Sequence, residues 1–160
     1  MPLFFRICET HHAVDALSGE GSRLFGGRWN PPGLSAVYLA ESRALAALEI
    51  LVHSRMDVIR LNWSLVEVEV PESLIETPVS ADLPAAWDIQ PKSLAARSFG
   101  EEWLRNRSNV GLRLPSAVIP EENVLLLNPN SPCITEIRVS PPRRFPFDAR
   151  LCEIGTRGRE

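Results

Sequence analysis

The sequence predicts an α+β fold, a mixed and mainly antiparallel sheet with flanking helices, as a single domain over residues 1–160. Short apolar runs of strand length lie both before and after two helical patterns, without the regular β-α-β alternation of a doubly wound sheet. The chain of 160 residues, 44% apolar and 23% charged, has the size and balance of one ordinary globular domain. No repeat, low-complexity stretch or composition shift marks a linker.

Leu3 to Cys8 is short, aromatic and apolar, and reads as a first strand. Ser18 to Gly33 holds five glycines and two prolines in sixteen residues, and reads as a shaped loop without a regular element. Val37 to Ala40 is a brief buried strand. Ser42 can then cap a helix whose body, Arg43 to His53, is mostly alanine and leucine. Leu61 to Val70 alternates, but its apolar phase shifts between Leu65 and Val66, which predicts a bulge, with Glu67 and Glu69 facing solvent.

Pro71, Pro78, Pro84 and Pro91 punctuate a long connection with at most short helical turns. A second helix is predicted from Ser93 to Arg107, its stripe being Leu94, Phe99, Trp103 and Leu104, with Gly100 a weak point in its middle. Three short strands follow, Ser116 to Ile119, Val124 to Leu127 and Ile134 to Val139, separated by proline- and asparagine-rich turns. From Pro141 onward the chain reads as irregular, with its last few residues mobile.

Composition narrows the function classes. The three cysteines, Cys8, Cys133 and Cys152, are odd in number and far apart, so neither a disulfide framework nor a structural zinc site is indicated, and a cytoplasmic location is expected. There is no secretory layout at the start, and no apolar run approaches the roughly 18 residues needed to span a bilayer. The net charge of −3 and the lack of a basic block disfavour direct nucleic-acid binding. The seventeen basic residues include a single lysine, Lys92, and sixteen arginines, the fork-shaped donors suited to phosphate.

Four residues stand out. Glu49 is the only polar group between Ala44 and Val52; it is paired structurally, aimed into a ligand pocket, or placed on a solvent-exposed face. Arg28 and Trp29 sit in Gly26-Gly27-Arg28-Trp29-Asn30-Pro31-Pro32-Gly33, a loop that could hold a pyrophosphate or be a tight turn anchored by a buried tryptophan, with Arg28 in a surface ion pair. Tyr38, the only tyrosine, reads by itself as core. Ser116 reads as a turn hydroxyl bonded to its own backbone and has no nucleophile elbow around it. His11, His12 and His53 form no metal motif and read as structural or solvent-facing.

Gly26 to Gly33, Val-Tyr-Leu-Ala-Glu-Ser at Val37 to Ser42, and Leu-Ala-Ala-Leu-Glu-Ile-Leu-Val-His at Leu45 to His53 together resemble the signature of the RES domain family. Leu114 to Pro129 resembles its serine-bearing segment and following asparagine, Asn128, while Phe5 and Arg6 fit its opening strand. The turn Asn130-Ser131-Pro132-Cys133 departs from the pattern.

The resemblance implies a fold similar to mono-ADP-ribosyltransferase toxins. It also implies an NAD-destroying toxin of a bacterial toxin–antitoxin pair, whose partner is an Xre-like helix-turn-helix antitoxin. Carried over by position, Glu49 and Arg28 would be catalytic, and Arg28, Tyr38 and Ser116 would bind NAD. NAD would be the substrate, with neither metal nor cofactor required. Cleavage of the nicotinamide–ribose bond builds positive charge on the ribose, which a fixed carboxylate stabilises. Water or phosphate would be the acceptor. The alternatives are an ADP-ribosyltransferase acting on a protein target and a non-catalytic interaction module. Oligomeric state, and the roles of Arg6, Asn128 and the histidines, are left open at this level.

Overall fold

A computed structural model describes residues 1–53 and 58–151, so Cys152 and the predicted mobile end lie outside the described residues. The fold is α+β, with an eight-stranded sheet in which every pairing but one is antiparallel. Its strands are β1 (Leu3–Glu9), β2 (Val37–Ala40), β3 (Trp63–Glu69), β4 (Ile75–Glu76), β5 (Gly111–Pro115), β6 (Asn123–Leu127), β7 (Arg138–Val139) and β8 (Arg143–Arg144). They run in the order β4-β5-β6-β2-β1-β3-β7, with β8 also on β3 and the parallel pairing between β4 and β5.

The sheet has two halves joined by little. β1 and β3 pair at seven positions from Leu3↔Glu69 to Glu9↔Trp63, whereas β1 and β2 share the single pair Phe5↔Ala40. The halves therefore part along most of the β1–β2 seam. Both faces of the sheet are buried. One face joins Leu65, Leu112, Leu114 and Leu126 to Leu45, Ala46, Ala96 and Leu104 from two helices. The other joins Phe4, Val37, Leu39, Val66, Val68, Leu125 and Leu127 to Ala13 and Ala16. Each fully buried leucine contributes roughly 1.5–3 kcal/mol, so neither face can be exposed cheaply.

Burial on both faces explains the phase shift at Leu65 and Val66. The register of β3 on β1 is unbroken, so the expected bulge is absent: Leu65 and Val66 point to opposite faces and each meets a core. Glu67 is partly exposed and pairs with Arg43 and Arg143. The helix α2 (Arg43–His53) starts where predicted and is helical through the last residue described before 58, and the Ser42 hydroxyl accepts from the Leu45 N–H at 3.0 Å.

Several expectations need correction. The glycine-rich loop contains a helix, α1 (Glu20–Phe25), closed where Gly26 turns to φ 72°. The second long helix, α3 (Leu94–Asn106), is capped by Ser93, but Leu94 is 79% exposed and the packed face is Ala96, Gly100, Trp103 and Leu104. Gly100 strengthens that face instead of weakening it, because a side chain there would overlap the Trp29 carbonyl. Ser116 to Ile119 is a turn, and the strand lies just before it at β5. Of the strand expected at Ile134 to Val139, the first part is a 3₁₀ turn and only Arg138–Val139 pairs. Beyond Pro141, Arg143–Arg144 pairs with β3.

Candidate active site

A cavity of about 860 Å³ opens beside the parted seam, within the range of small-molecule sites. Its floor is Phe5, Arg6 and Ile7 of β1 with Tyr38, Leu39 and Ala40 of β2. One wall is α2, whose Ala46, Glu49, Ile50 and His53 recur at helical spacing and so share a stripe. The facing residues come from Gly26 to Trp29, from Gln90 to Lys92 and from Arg97 on α3.

Glu49 is the one acidic residue among the described lining residues. It is half-buried, and its Oε1 accepts a hydrogen bond from the Ser116 hydroxyl at 2.8 Å. Ser116 is fully buried behind it and does not line the cavity. The serine oxygen accepts from the N–H groups of Val118 at 3.0 Å and Ile119 at 3.2 Å, as its turn chemistry predicts. With both acceptor positions occupied, its single proton is directed at the carboxylate. Glu49 is thus held in place while its second oxygen is left for a ligand.

Tyr38 is knitted into the loop that precedes it. Its hydroxyl donates to Asn30 Oδ1 at 2.6 Å and accepts from the Trp29 N–H at 3.0 Å. Burial pushes the phenol well above the usual tyrosine range, so it stays neutral and acts by placement. Gly27 is required by the same contact, because a Cβ there would lie 2.6 Å from the Tyr38 hydroxyl. Fully buried Asn30 donates in turn to the carbonyls of Ser22 and Leu34 at 3.0 and 2.9 Å.

Arg28 lines the cavity, but among the described residues it makes no ion pair of the kind one sequence reading expected. Its guanidinium donates to the carbonyls of Trp87 at 2.9 Å and Ile89 at 3.0 Å, and to Gln90 Oε1 at 3.0 Å. Buried Trp29 beside it stacks on Trp87 with ring centroids 5.8 Å apart, which anchors the turn as that reading supposed. The segment 87–92 is thereby held beside the cavity, with Gln90, Pro91 and Lys92 on its lining.

Three further cations line the site that composition alone had not assigned. Arg6 reaches over the seam to donate to the Tyr38 carbonyl at 3.2 Å, while its buried Nε has no partner. Burial draws its pKa below the usual guanidinium value, with Cys8 acting weakly the other way. An arginine between Phe5 and Ile7 is the same signal that singles out Glu49, a charge inside an apolar element. Lys92 is exposed at the rim, and Arg97 approaches the Gly27 carbonyl at 3.5 Å. His53 is exposed as expected and also lines the cavity. The His11 and His12 rings lie 3.9 Å apart, tilted by 43°, and are not on its lining. Asn128 is structural: it is buried, donating to the Leu104 carbonyl at 2.9 Å and accepting from the Asn130 N–H at 3.0 Å. Among the described residues no helix is long and apolar enough to cross a membrane.

Comparison with known proteins follows the same outline. A family model for the RES domain matches residues 3–148. A "Prs ADP-ribosylating toxin" of Sphingobium sp. (strain YBL2) is 40% identical over 143 residues, covering 88% of this chain and 89% of the relative. The "NAD(+) phosphorylase MbcT" of Mycobacterium tuberculosis (strain ATCC 25618 / H37Rv) is 62% identical over 37 residues, covering 22% of this chain and 20% of that protein. The crystal structure of the M. tuberculosis MbcT–MbcA toxin–antitoxin complex contains a chain similar in fold, with TM-score 0.75, 22% identity and coverage of 95% of this chain and 87% of that chain.

Proposed function

The chain belongs to the RES domain family, and from that membership we propose that it is a toxin that cleaves the nicotinamide–ribose bond of NAD. The observation that carries the proposal is a single carboxylate, Glu49, fixed by a serine hydroxyl in a largely apolar cavity whose other charged lining residues, Arg6, Arg28, Lys92 and Arg97, are cations. As the glycosidic bond breaks, its electron pair leaves with nicotinamide and neutralises the pyridinium ring. Positive charge then develops on the ribose, as in glycoside cleavage. A carboxylate already oriented toward that charge stabilises the transition state more than the ground state. The acceptor, water or inorganic phosphate, bonds to the anomeric carbon and releases a proton.

Each remaining residue has a role consistent with its contacts. Ser116 is a positioning residue that acts through Glu49. Arg28 braces the segment 87–92 and borders the bound diphosphate, and the Tyr38 ring offers a flat face for nicotinamide. Arg6, with an unpartnered buried N–H, is suited to a phosphate or ribose oxygen. NAD is consumed as substrate, and an antitoxin, of the Xre-like helix-turn-helix type, is the proposed partner. The name of the phosphorylase relative supports phosphate as acceptor, and that of the Sphingobium relative favours a second reading in which a protein side chain is the acceptor.

Mass spectrometry of NAD and its products, with and without phosphate, tests the proposal. Nicotinamide release with ADP-ribose 1″-phosphate identifies phosphorolysis, and free ADP-ribose identifies hydrolysis. Labelled ADP-ribose bound to protein would support the second reading, and no release under any condition from folded, partner-free protein would overturn cleavage with water or phosphate as acceptor and favour protein modification or a binding module.

A further inference from the structure

The charges of the cavity are segregated. Glu49 stands on α2, backed by Ser116, whereas Lys92 and Arg97 stand on the facing side, at the end of segment 87–92 and in the first turn of α3. A dinucleotide of nicotinamide is polarised in the same sense, cationic at its pyridinium end and doubly anionic at its diphosphate. An orientation with the pyridinium end at Glu49 and the diphosphate at Lys92 and Arg97 satisfies both ends.

We infer that Lys92 and Arg97 form a diphosphate subsite that makes the enzyme selective for a dinucleotide over smaller molecules carrying the same nicotinamide–ribose bond. This assignment rests on the NAD-cleaving reading and names how its substrate is chosen. Lys92 is the only lysine of the chain and makes no ion pair or hydrogen bond among the described residues, although it is set at the rim of a cavity. Arg97 has one long contact, 3.5 Å to the Gly27 carbonyl, which leaves most of its donors available. Among the described residues neither side chain is held by an acidic partner that a phosphate would have to displace. The surrounding geometry is built for placement: Ser93, between them, is buried and caps α3 by accepting the Ala96 N–H at 3.1 Å, and Arg28 grips Gln90 two residues before Lys92. Lys92 is therefore tethered on both sides while its own ammonium stays unengaged.

The prediction separates binding of the diphosphate from bond cleavage. Nicotinamide release is measured from NAD and from nicotinamide riboside, which has the scissile bond but no phosphate, with wild type, Lys92→Ala, Lys92→Arg and Arg97→Gln. The ratio of kcat/KM for NAD to that for nicotinamide riboside is expected to fall about tenfold in Lys92→Ala and in Arg97→Gln, the scale of one charge-assisted hydrogen bond. Most of that fall should appear in KM, and Lys92→Arg should restore it. Calorimetry with ADP, which holds the diphosphate but no reacting bond, should show binding weakened by about the same factor. An unchanged ratio and unchanged ADP affinity in both variants would overturn the subsite. If wild type releases no nicotinamide, the cleavage reading fails, and ADP binding still decides whether these two cations hold a diphosphate.

Discussion

The two sides of the cavity reach rigidity by different means. On the α2 side one carboxylate is placed by a regular helix and a single buried hydroxyl, with the hydrogen-bonding capacity of that hydroxyl fully committed. On the opposite side Arg28 and Lys92 ride on irregular chain and Arg97 on the first turn of α3, and Arg28 holds the irregular chain by binding its backbone carbonyls. The negative wall is thus organised by one helix, and the positive wall by a helix start together with tertiary contacts to irregular chain. Catalysis by charge requires the first to be fixed within a fraction of an ångström. On the proposed reading, recognition of a flexible diphosphate tolerates the second.

Substitutions on the two walls should therefore differ in what they change. Glu49→Gln keeps the Ser116 contact and removes the charge; it is expected to lower nicotinamide release by about 10²–10³-fold, the scale of losing one electrostatic stabiliser, with little change in melting temperature. Equal activity in that variant would remove the distinction between the walls. Gly100→Ala drives a methyl group into the Trp29 carbonyl and should cost about 3 kcal/mol in denaturant unfolding. Full stability would mean that α3 shifts freely and that the positive wall is not fixed by this contact.

Ser116→Ala strips the donor from Glu49 and leaves the Val118 and Ile119 N–H groups without their acceptor. Stability should fall by about 1–3 kcal/mol, and the loss of activity should lie in kcat more than in KM, as for a residue that acts through the carboxylate. Arg28→Lys keeps the charge but loses the fork that grips two carbonyls and Gln90. The expected result is faster hydrogen exchange over residues 87–92 and a KM for NAD raised about tenfold. The smallest effect serves as a baseline: Glu101→Ala removes an exposed i,i+4 pair with Arg105 and should change stability by less than about 0.5 kcal/mol in the same unfolding assay.

How much could be read in advance follows the same division. The start of α2, its Ser42 cap and the strand at Val37 to Ala40 were legible because each repeats one local rule over enough residues to be seen. β4 and β8 are two residues long, too short to show any period, and form because a neighbouring edge receives them. The helix α1 was hidden by Gly21 and its flanking glycines. Leu94 matched a helical stripe yet stays exposed, since the packed face is set by how closely Gly100 lets α3 approach Trp29. At the site, Glu49, Arg28, Tyr38 and Ser116 were legible through motif and context, whereas Lys92, Arg97 and His53 look like ordinary surface residues in one dimension.

The sequence by itself determined the α+β class, the central strands, the two long helices and the presence of a carboxylate where a carboxylate needs a partner. Those properties depend on neighbours within a few residues, which hydrophobic period and capping chemistry express directly. Only the tertiary structure decided that the β1–β2 seam opens into a cavity, that Ser116 stands behind Glu49 across 67 positions of chain, and that Arg28 grips a segment about 60 residues away. Such contacts form wherever the packed sheet and helices bring distant backbone together, and a distance of that kind leaves no periodic trace in the order of the residues.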